Sequence, residues 1–372
     1  MTTQDLRDEY ARLGIDYSRI EAFKRAMMET ARKTFVFPKR WDVVLDSDGN
    51  FQYTKPGQPK IRSVTEGLGH KNLIAEWMYI NAGTGKTYHD GIGEDTMLMA
   101  VNDLAAKGFR PVVYTDEVAP GPDTWFQDEK RSRDLAQGFF VECERDGIAL
   151  IGGESPAYPL LVNTEPYVPA APVFSGCVVG IAPPYRQPVT GEKLQIGDVI
   201  IGVSSVGLHS NGSTLLIIRS QELPEQFLTK LPNGNTFGEE ALIPTRSYVA
   251  LVDALMEAQV EVHAFVPGTG GGVRKVAVDR RPMTYRIHSW VQEIPLLFQF
   301  VREEVGVALE DCLKTFNWGI GYYVFVPVGE VERTIQIGKQ AGYDLSEVGR
   351  VEEGPRRVIF EPEGITLAPP GE

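Results

Sequence analysis

Gly207-Leu208-His209-Ser210-Asn211-Gly212 lies between two different periodicities. Before it, Asp198 to Ser204 is a short apolar run that reads as a strand; after it, Ser213 to Ser220 reads as a helix. A strand, a glycine-bounded loop and a helix make one unit of an α/β sheet, and ligands bind in such sheets at loops that follow strands. Ser210 or Asn211 can cap the helix, and the glycines free the backbone. His209 is either an acid, base or phosphate ligand, or a surface residue on a capped turn.

The same rhythm extends both ways. Upstream, Pro111 to Tyr114, Ala149 to Ile151 and Val173 to Ile181 read as strands, and Thr96 to Ala106 as a buried helix. Asp123 is the expected N-cap of a long helix through Glu144, closed by Gly147. Trp77-Met78-Tyr79-Ile80 reads as a strand that stops at a Gly-rich loop. Downstream, 239–258 is mostly helical with a break or start at Pro244, and Val260 to Val266 and Tyr322 to Val328 are strands. Near the N-terminus, Ile20, Phe23, Met27 and Ala31 share one helical face, and Ser47-Asp48-Gly49-Asn50 predicts the turn of a hairpin over Val43 to Tyr53.

A chain of 372 residues exceeds what one core usually serves, so two domains are expected. Pro183-Pro184-Tyr185-Arg186-Gln187-Pro188 is the linker, which divides the chain into 1–186 and 187–372. The fold class is α/β, of a mixed α+β kind. With 42% apolar and 23% charged residues, disorder is expected only at the ends, including Ala368-Pro369-Pro370-Gly371-Glu372.

The net charge of −13 leaves no basic face for a nucleic-acid partner. Cys143, Cys177 and Cys312 fit neither a metal knuckle nor a disulfide framework, and read as small buried residues in a reducing compartment. No apolar run approaches the ~20 residues of a membrane span, and the N-terminus carries no signal pattern. A cytoplasmic location is expected.

Three further features suit phosphate chemistry. Asn81-Ala82-Gly83-Thr84-Gly85-Lys86-Thr87 resembles the end of a P-loop, but Ile80 stands where the first glycine belongs and Tyr88 to Gly93 reads as more loop. A plain turn and a phosphate-contacting loop of another type are its other readings. Glu94-Asp95, Asn102-Asp103, Asp116-Glu117 and Glu154 lie near predicted element ends, where they either cap and solvate or converge on Mg²⁺. Thr269-Gly270-Gly271-Gly272 precedes a predicted helix and clears side chains from a backbone that can meet an anion.

Taken in order, these loops resemble the aminoimidazole ribonucleotide synthetase (phosphoribosylformylglycinamidine cyclo-ligase) family. The matching segments are Ile92-Gly93-Glu94-Asp95, Val101-Asn102-Asp103-Leu104 with Gly108 and Pro111, Leu150-Ile151-Gly152-Gly153-Glu154, and Gly197-Asp198-Val199-Ile200. They continue with Gly207 to Gly212, Pro244-Thr245-Arg246-Ser247-Tyr248-Val249, Thr269 to Gly272, and Thr315-Phe316-Asn317-Trp318-Gly319-Ile320-Gly321. The wider superfamily holds formylglycinamidine synthetase, selenophosphate synthetase, thiamine-monophosphate kinase and a hydrogenase-maturation protein. The Pro244 and Phe316 segments look most like the cyclo-ligase branch.

The resemblance implies a two-domain fold, a homodimer paired through the N-terminal sheet, and ATP-dependent cyclisation of formylglycinamidine ribonucleotide. It implies Asp95, Asp116 and Glu154 at Mg²⁺, and Asn102, Asp103, Gly152 and Gly153 at nucleotide. Gly83, Gly85 and Lys86 would lie near phosphates, Gly270, Gly271 and Gly272 would hold a phosphate, and His209 and Asn211 would face the reacting centre. The family's T-D-G-V-G-T-K loop after its first long strand is matched here to residues 81–87, with Ala82 in place of the acid. Glu66 to Lys71 is then a loose match to a glycine-rich N-terminal segment, and Pro267-Gly268 replaces a family histidine. Those departures leave two other readings open, a paralogous kinase or synthetase and a non-catalytic nucleotide-binding protein.

Overall fold

Along Val173–Ala182 buried residues alternate with more exposed ones, the period of a strand with one covered face. The structure, a computed structural model, describes residues 37, 42–45, 51–54, 57–291 and 293–370. Its first sheet comprises β1 (Asp42–Leu45), β2 (Phe51–Thr54), β3 (Lys60–Gly67), β4 (Arg110–Ala119), β5 (Ala149–Glu154) and β6 (Val173–Ala182). The spatial order is β1-β2-β3-β6-β4-β5, and every neighbouring pair is antiparallel except β4 with β5. The expected hairpin is β1 with β2, Val43 opposite Tyr53. Its turn, and the helix expected over the first 35 residues, lie outside the described residues.

Among the described residues this half also holds three helices, α1 (Lys71–Asn81), α2 (His89–Ala105) and α3 (Glu129–Asp146). The expected strand at Trp77 to Ile80 is instead the last part of α1. Ile74, Ala75 and Met78 are buried at helical spacing there, and Trp77 sets its ring edge-on to Phe227 at 5.4 Å. The expected loop at Tyr88 to Gly93 is the start of α2. Its glycines serve packing: a Cβ on Gly93 would lie 2.6 Å from Leu135 O, and one on Gly138 would lie 1.9 Å from Asp90 O. The two helices therefore cross backbone against backbone. Gly180 does the same for the sheet, where a Cβ would lie 2.4 Å from Leu104 Cδ2 on α2.

Buried Glu76 on α1 binds these helices together. It accepts hydrogen bonds from Trp125 Nε1 (2.5 Å) and Arg131 Nη1 (2.8 Å), and its Oε1 lies 3.1 Å from His89 Nε2. The long helix expected from Asp123 begins later. Asp123–Gln127 is a 3₁₀ turn, and Asp128 is the N-cap of α3, accepting from Arg131 N. Gly147 closes α3 in the left-handed region, φ 68°, as expected.

The second sheet comprises β7 (Val199–Ser204), β8 (Ala264–Pro267), β9 (Met283–Ile287), β10 (Ile320–Val326), β11 (Leu345–Glu353), β12 (Arg357–Phe360) and β13 (Ile365–Leu367). Its order is β13-β12-β9-β11-β7-β10-β8, antiparallel except for β12 with β9. Every residue of β10 is buried, so that strand is covered on both faces. The helices are α4 (Ser213–Ser220), α5 (Phe237–Ala241), α6 (Val249–Glu257), α7 (Leu296–Glu303), α8 (Leu309–Thr315) and α9 (Val331–Gln340). The helical stretch expected over 239–258 is thus two helices with Pro244 in the break. Only the end of the strand expected from Val260 forms, as β8.

All three cysteines are free, but only Cys312 is fully buried; Cys143 and Cys177 are half-exposed, on α3 and β6. The expected loose tail is tied at Pro370, whose carbonyl accepts from Arg356 Nη2 at 3.4 Å. Among the described residues no helix is long and apolar enough to cross a membrane.

The glycine contact between α2 and α3 yields a stability prediction. Gly138→Ala should destabilise the protein by about 1–3 kcal/mol, since its methyl meets backbone that has nowhere to go. Urea unfolding measures this, and an unchanged midpoint would mean the helices can separate freely.

Candidate active site

The long strand β3 ends at Gly67 and α1 starts at Lys71, so Leu68-Gly69-His70 is the loop between the first long strand and the first helix. Thr65-Glu66-Gly67-Leu68-Gly69-His70-Lys71 therefore occupies the place of the family's T-D-G-V-G-T-K loop. Thr65, Gly67, Gly69 and Lys71 keep its threonine, glycines and lysine, and Glu66 keeps its acid. This corrects the match to residues 81–87, which follow helix α1 rather than a strand. A P-loop there is ruled out on the same ground. Gly83 (φ 66°) and Gly85 (φ 70°) form an open turn, and Lys86 lies over the Tyr88 ring at 4.6 Å. No contact found among the described residues joins these three to the loops below.

The β3–α1 loop docks on the loop after β7. His70 Nδ1 lies 2.9 Å from Thr214 Oγ1 at the start of α4. Lys71, fully buried, donates to the carbonyls of His209 and Ile243, each at 2.8 Å, and its ammonium lies 2.7 Å from Asp95 Oδ2. Asp95 Oδ1 accepts from Thr245 N (2.8 Å), Thr245 Oγ1 (2.5 Å) and Ser210 Oγ (3.2 Å). A residue expected at a metal is thus engaged on both oxygens in joining the two halves. Asn102, expected at nucleotide, spans the same seam: Nδ2 donates to Arg246 O (3.0 Å) and Oδ1 accepts from Tyr248 N (2.9 Å).

His209 lies between strand and helix as expected, but it is buried rather than on the surface. Its backbone is left-handed at φ 59°, and neither ring nitrogen has a hydrogen-bond partner among the described residues. Gly321 makes room for the ring, since a Cβ there would lie 2.3 Å from His209 Cε1 and 2.0 Å from Tyr248 Oη. Burial first, then the Lys71 and Arg246 charges, push the imidazole pKa down to about 3, so the ring is neutral near neutral pH.

The triple-glycine loop approaches the same region. Gly270, Gly271 and Gly272 have φ of 73°, 93° and 61°, and lead into a 3₁₀ turn, Gly272–Ala277, rather than the expected α-helix. A Cβ on Gly270 would lie 3.6 Å from Asn211 Oδ1 and 3.9 Å from Lys275 Nζ. Buried Asn211 Nδ2 has no partner among the described residues. Half-buried Asp103 belongs to this group; burial raises its carboxyl above the usual range, against the pull of Lys275 and Arg62. Together these groups offer anion donors (Lys275, Asn211, loop N–H groups), a carboxyl and a neutral imidazole.

Asp116, Gly152, Gly153 and Glu154 form a separate group on β4 and β5. Asp116 is opposite Gly153 and Glu117 opposite Glu154, and a Cβ on Gly153 would lie 2.3 Å from Asp116 Oδ1. Burial raises the Asp116 carboxyl, and no cation among the described residues counters it. Among the described residues no three His, Cys, Asp or Glu side chains gather as a metal cluster, so Asp95, Asp116 and Glu154 do not converge as a set.

Lys71 and Tyr248 stand in segments matched to the family but are given no role by the sequence reading, and Lys275 and Arg62 are not singled out by it. Lys71 had a readable signal, because T-E-G-L-G-H-K follows an alternating stretch. Arg62 and Tyr248 reach the site only through tertiary packing.

Neutral His209 has a consequence for stability. In the unfolded chain an imidazole takes a proton below a pKa of about 6.5, whereas the folded ring does so only near 3. Its contribution is therefore complete above the unfolded pKa and is lost as pH falls through that window, by up to about 1.4 kcal/mol per unit. Urea midpoints at about pH 7 and pH 5 should fall further for the wild type than for His209→Gln. Equal falls would mean the folded ring takes the proton.

Comparison with known proteins places the chain in a family. Residues 37–182 match the family model described as AIR synthase related protein, N-terminal domain, and residues 195–361 match its C-terminal counterpart. A phosphoribosylformylglycinamidine cyclo-ligase of Pyrococcus horikoshii is 33% identical over 364 residues, covering 96% of this chain and 99% of that protein. One of Shouchella clausii is 32% identical over 361 residues, covering 93% and 96%. Among solved structures, a ThiL protein complexed with AMPPCP and TMP has a TM-score of 0.59 at 15% identity, over 98% of this chain and 96% of that one, a likeness of fold. With its mixed α/β halves and both family models matched in order, the chain belongs to the AIR synthase family.

Proposed function

We propose that this chain is an ATP-dependent cyclo-ligase that converts formylglycinamidine ribonucleotide to aminoimidazole ribonucleotide, with release of ADP and phosphate, in purine biosynthesis. The observation that carries the reading is the near full-length relationship to cyclo-ligases, supported by the approach of the Gly67–Lys71, Gly207–Gly212 and triple-glycine loops to one another. The substrate's amide oxygen attacks the γ-phosphorus of ATP, and ADP leaves. A nitrogen of the same molecule then attacks the activated carbon, the C–O bond to phosphate breaks, and that nitrogen gives up a proton as the ring closes. Such chemistry asks a protein to position groups and to offset phosphate charge.

His209 and Asn211 are the residues proposed at the reacting centre. A neutral imidazole, unpartnered among the described residues, has a free ring nitrogen with which to accept the proton, and arriving phosphates offset the lesser, charge-based part of its depressed basicity, which comes from Lys71 and Arg246. Gly270, Gly271 and Gly272 with Lys275 hold a phosphate, and Asn102 and Asp103 form the nucleotide side. The phosphate role expected of Gly83, Gly85 and Lys86 passes to the backbone of the Gly67-Leu68-Gly69 turn. Mg²⁺, when bound, would neutralise phosphate charge; Asp116 and Glu154, on paired strands beside Gly152 and Gly153, are the residues that would hold it, and no cation among the described residues lowers the Asp116 carboxyl.

A cytoplasmic homodimer, divided into domains 1–186 and 187–372, completes the reading. Support for the dimer is the outer part of the first sheet, where Ile151 on edge strand β5 is 63% exposed and Leu161 in the following loop is 80% exposed.

Three measurements test this. Purified protein with ATP, Mg²⁺ and formylglycinamidine ribonucleotide should form aminoimidazole ribonucleotide; ATP binding without product would point to a paralogous kinase or synthetase. His209→Ala should lower kcat by about 10²–10⁴-fold with little change in unfolding midpoint, and an unchanged kcat would remove it from the mechanism. Light scattering should give a dimer, and Ile151→Glu with Leu161→Glu should give a monomer; a monomeric wild type rejects the dimer.

A further inference from the structure

The lysine of the Gly67–Lys71 loop is the residue one would place on a phosphate. Its surroundings do not suit that task. Lys71 and Asp95 are both fully buried, and the ammonium already donates to His209 O and Ile243 O and lies against Asp95 Oδ2 as an ion pair. To reach a ligand, the ammonium would have to leave all three.

What these partners share is the chain around His209. Its φ of 59° lies in a region that non-glycine residues rarely occupy, so neighbouring contacts must hold it. Asn317 Nδ2 donates to the carbonyls of Gly207 (2.8 Å) and Leu208 (3.3 Å). Lys71 takes the next carbonyl, that of His209, and Asp95 accepts from the side chain of Ser210. Four successive residues are thus gripped, the last two by a pair on helices of the other half. Thr245 and Ile243 secure the same pair from the α5–α6 connection.

We propose that Lys71 and Asp95 are positioning residues for catalysis, which set the His209 ring by clamping its main chain across the seam. This rests on the reading that His209 acts in the cyclisation. The pair touches no substrate, and its effect is on kcat rather than on ATP binding.

The experiment is a kinetic cycle with full-length protein, ATP, Mg²⁺ and formylglycinamidine ribonucleotide. Lys71→Met with Asp95→Asn removes both charges together, so neither is left buried alone. This double variant should lose about 100-fold in kcat, the scale expected for a displaced catalytic group, and keep its KM for ATP. Adding His209→Ala to it should slow it no further than His209→Ala alone. An unchanged kcat would make the pair a plain staple and overturn the proposal. So would a raised KM for ATP at unchanged kcat, which would mark a phosphate or metal ligand, or losses that multiply with that of His209→Ala. If His209→Ala alone keeps the wild-type kcat, the reading of His209 fails first, and that arm shows it separately. Should the double variant not fold, Ser210→Ala removes one grip only; it should lower kcat about tenfold at unchanged KM, again without adding to His209→Ala. Full activity in Ser210→Ala would then overturn the proposal.

Discussion

The Lys71 ammonium and the Asp95 carboxylate sit 2.7 Å apart with neither open to water. Charges taken that far from solvent are tolerated only when each remaining donor and acceptor is met. Here the remaining partners all come from the other sheet's connections: two carbonyls, one backbone N–H and two hydroxyls. Neither half satisfies the pair by itself. Relative placement of the two sheets, and hence of every loop between them, follows from that requirement.

Other seam contacts work in concert with the pair. Asn102 matches both of its polar ends to main chain at Arg246 and Tyr248. Tyr248 in turn stacks on Tyr322, ring centroids 4.7 Å apart, and lies 6.0 Å from the His209 ring. At the far side, Asp253 on α6 receives Arg110 Nε at 3.1 Å and Arg186 Nη1 at 2.7 Å, so the linker is itself fastened to the second half. Main chain is the usual target along the His209 side of this seam.

Much of this was legible in the residues. The unit of β7, loop and α4 read directly, because a buried strand, glycine punctuation and helical spacing agree there. Gly147 at the end of α3 did likewise. Trp77 to Ile80 did not, because a four-residue apolar run has no period of its own and its helical partners, Ile74 and Ala75, lie before it. Gly91 and Gly93 suggested a loop because local preference disfavours glycine in helices; contact with α3 and, for Gly91, with Pro244 Cγ outweighs it. Once α1 is a helix, the T-E-G-L-G-H-K loop falls into place and Ala82 ceases to be a missing acid. The pairing of Lys71 with Asp95 could not be read, since it needs two helices and two distant loops placed together.

Consider finally what the dry seam does to motion. Many two-lobed proteins admit ligands by swinging apart about a linker. Here such a swing would strip Lys71 and Asp95 of their neutralising company, and Asp253 would tug on Arg186 within the very segment meant to bend. Opening the lobes thus carries an electrostatic cost that movement of an uncrowded connection, such as the Gly83 to Lys86 turn, does not.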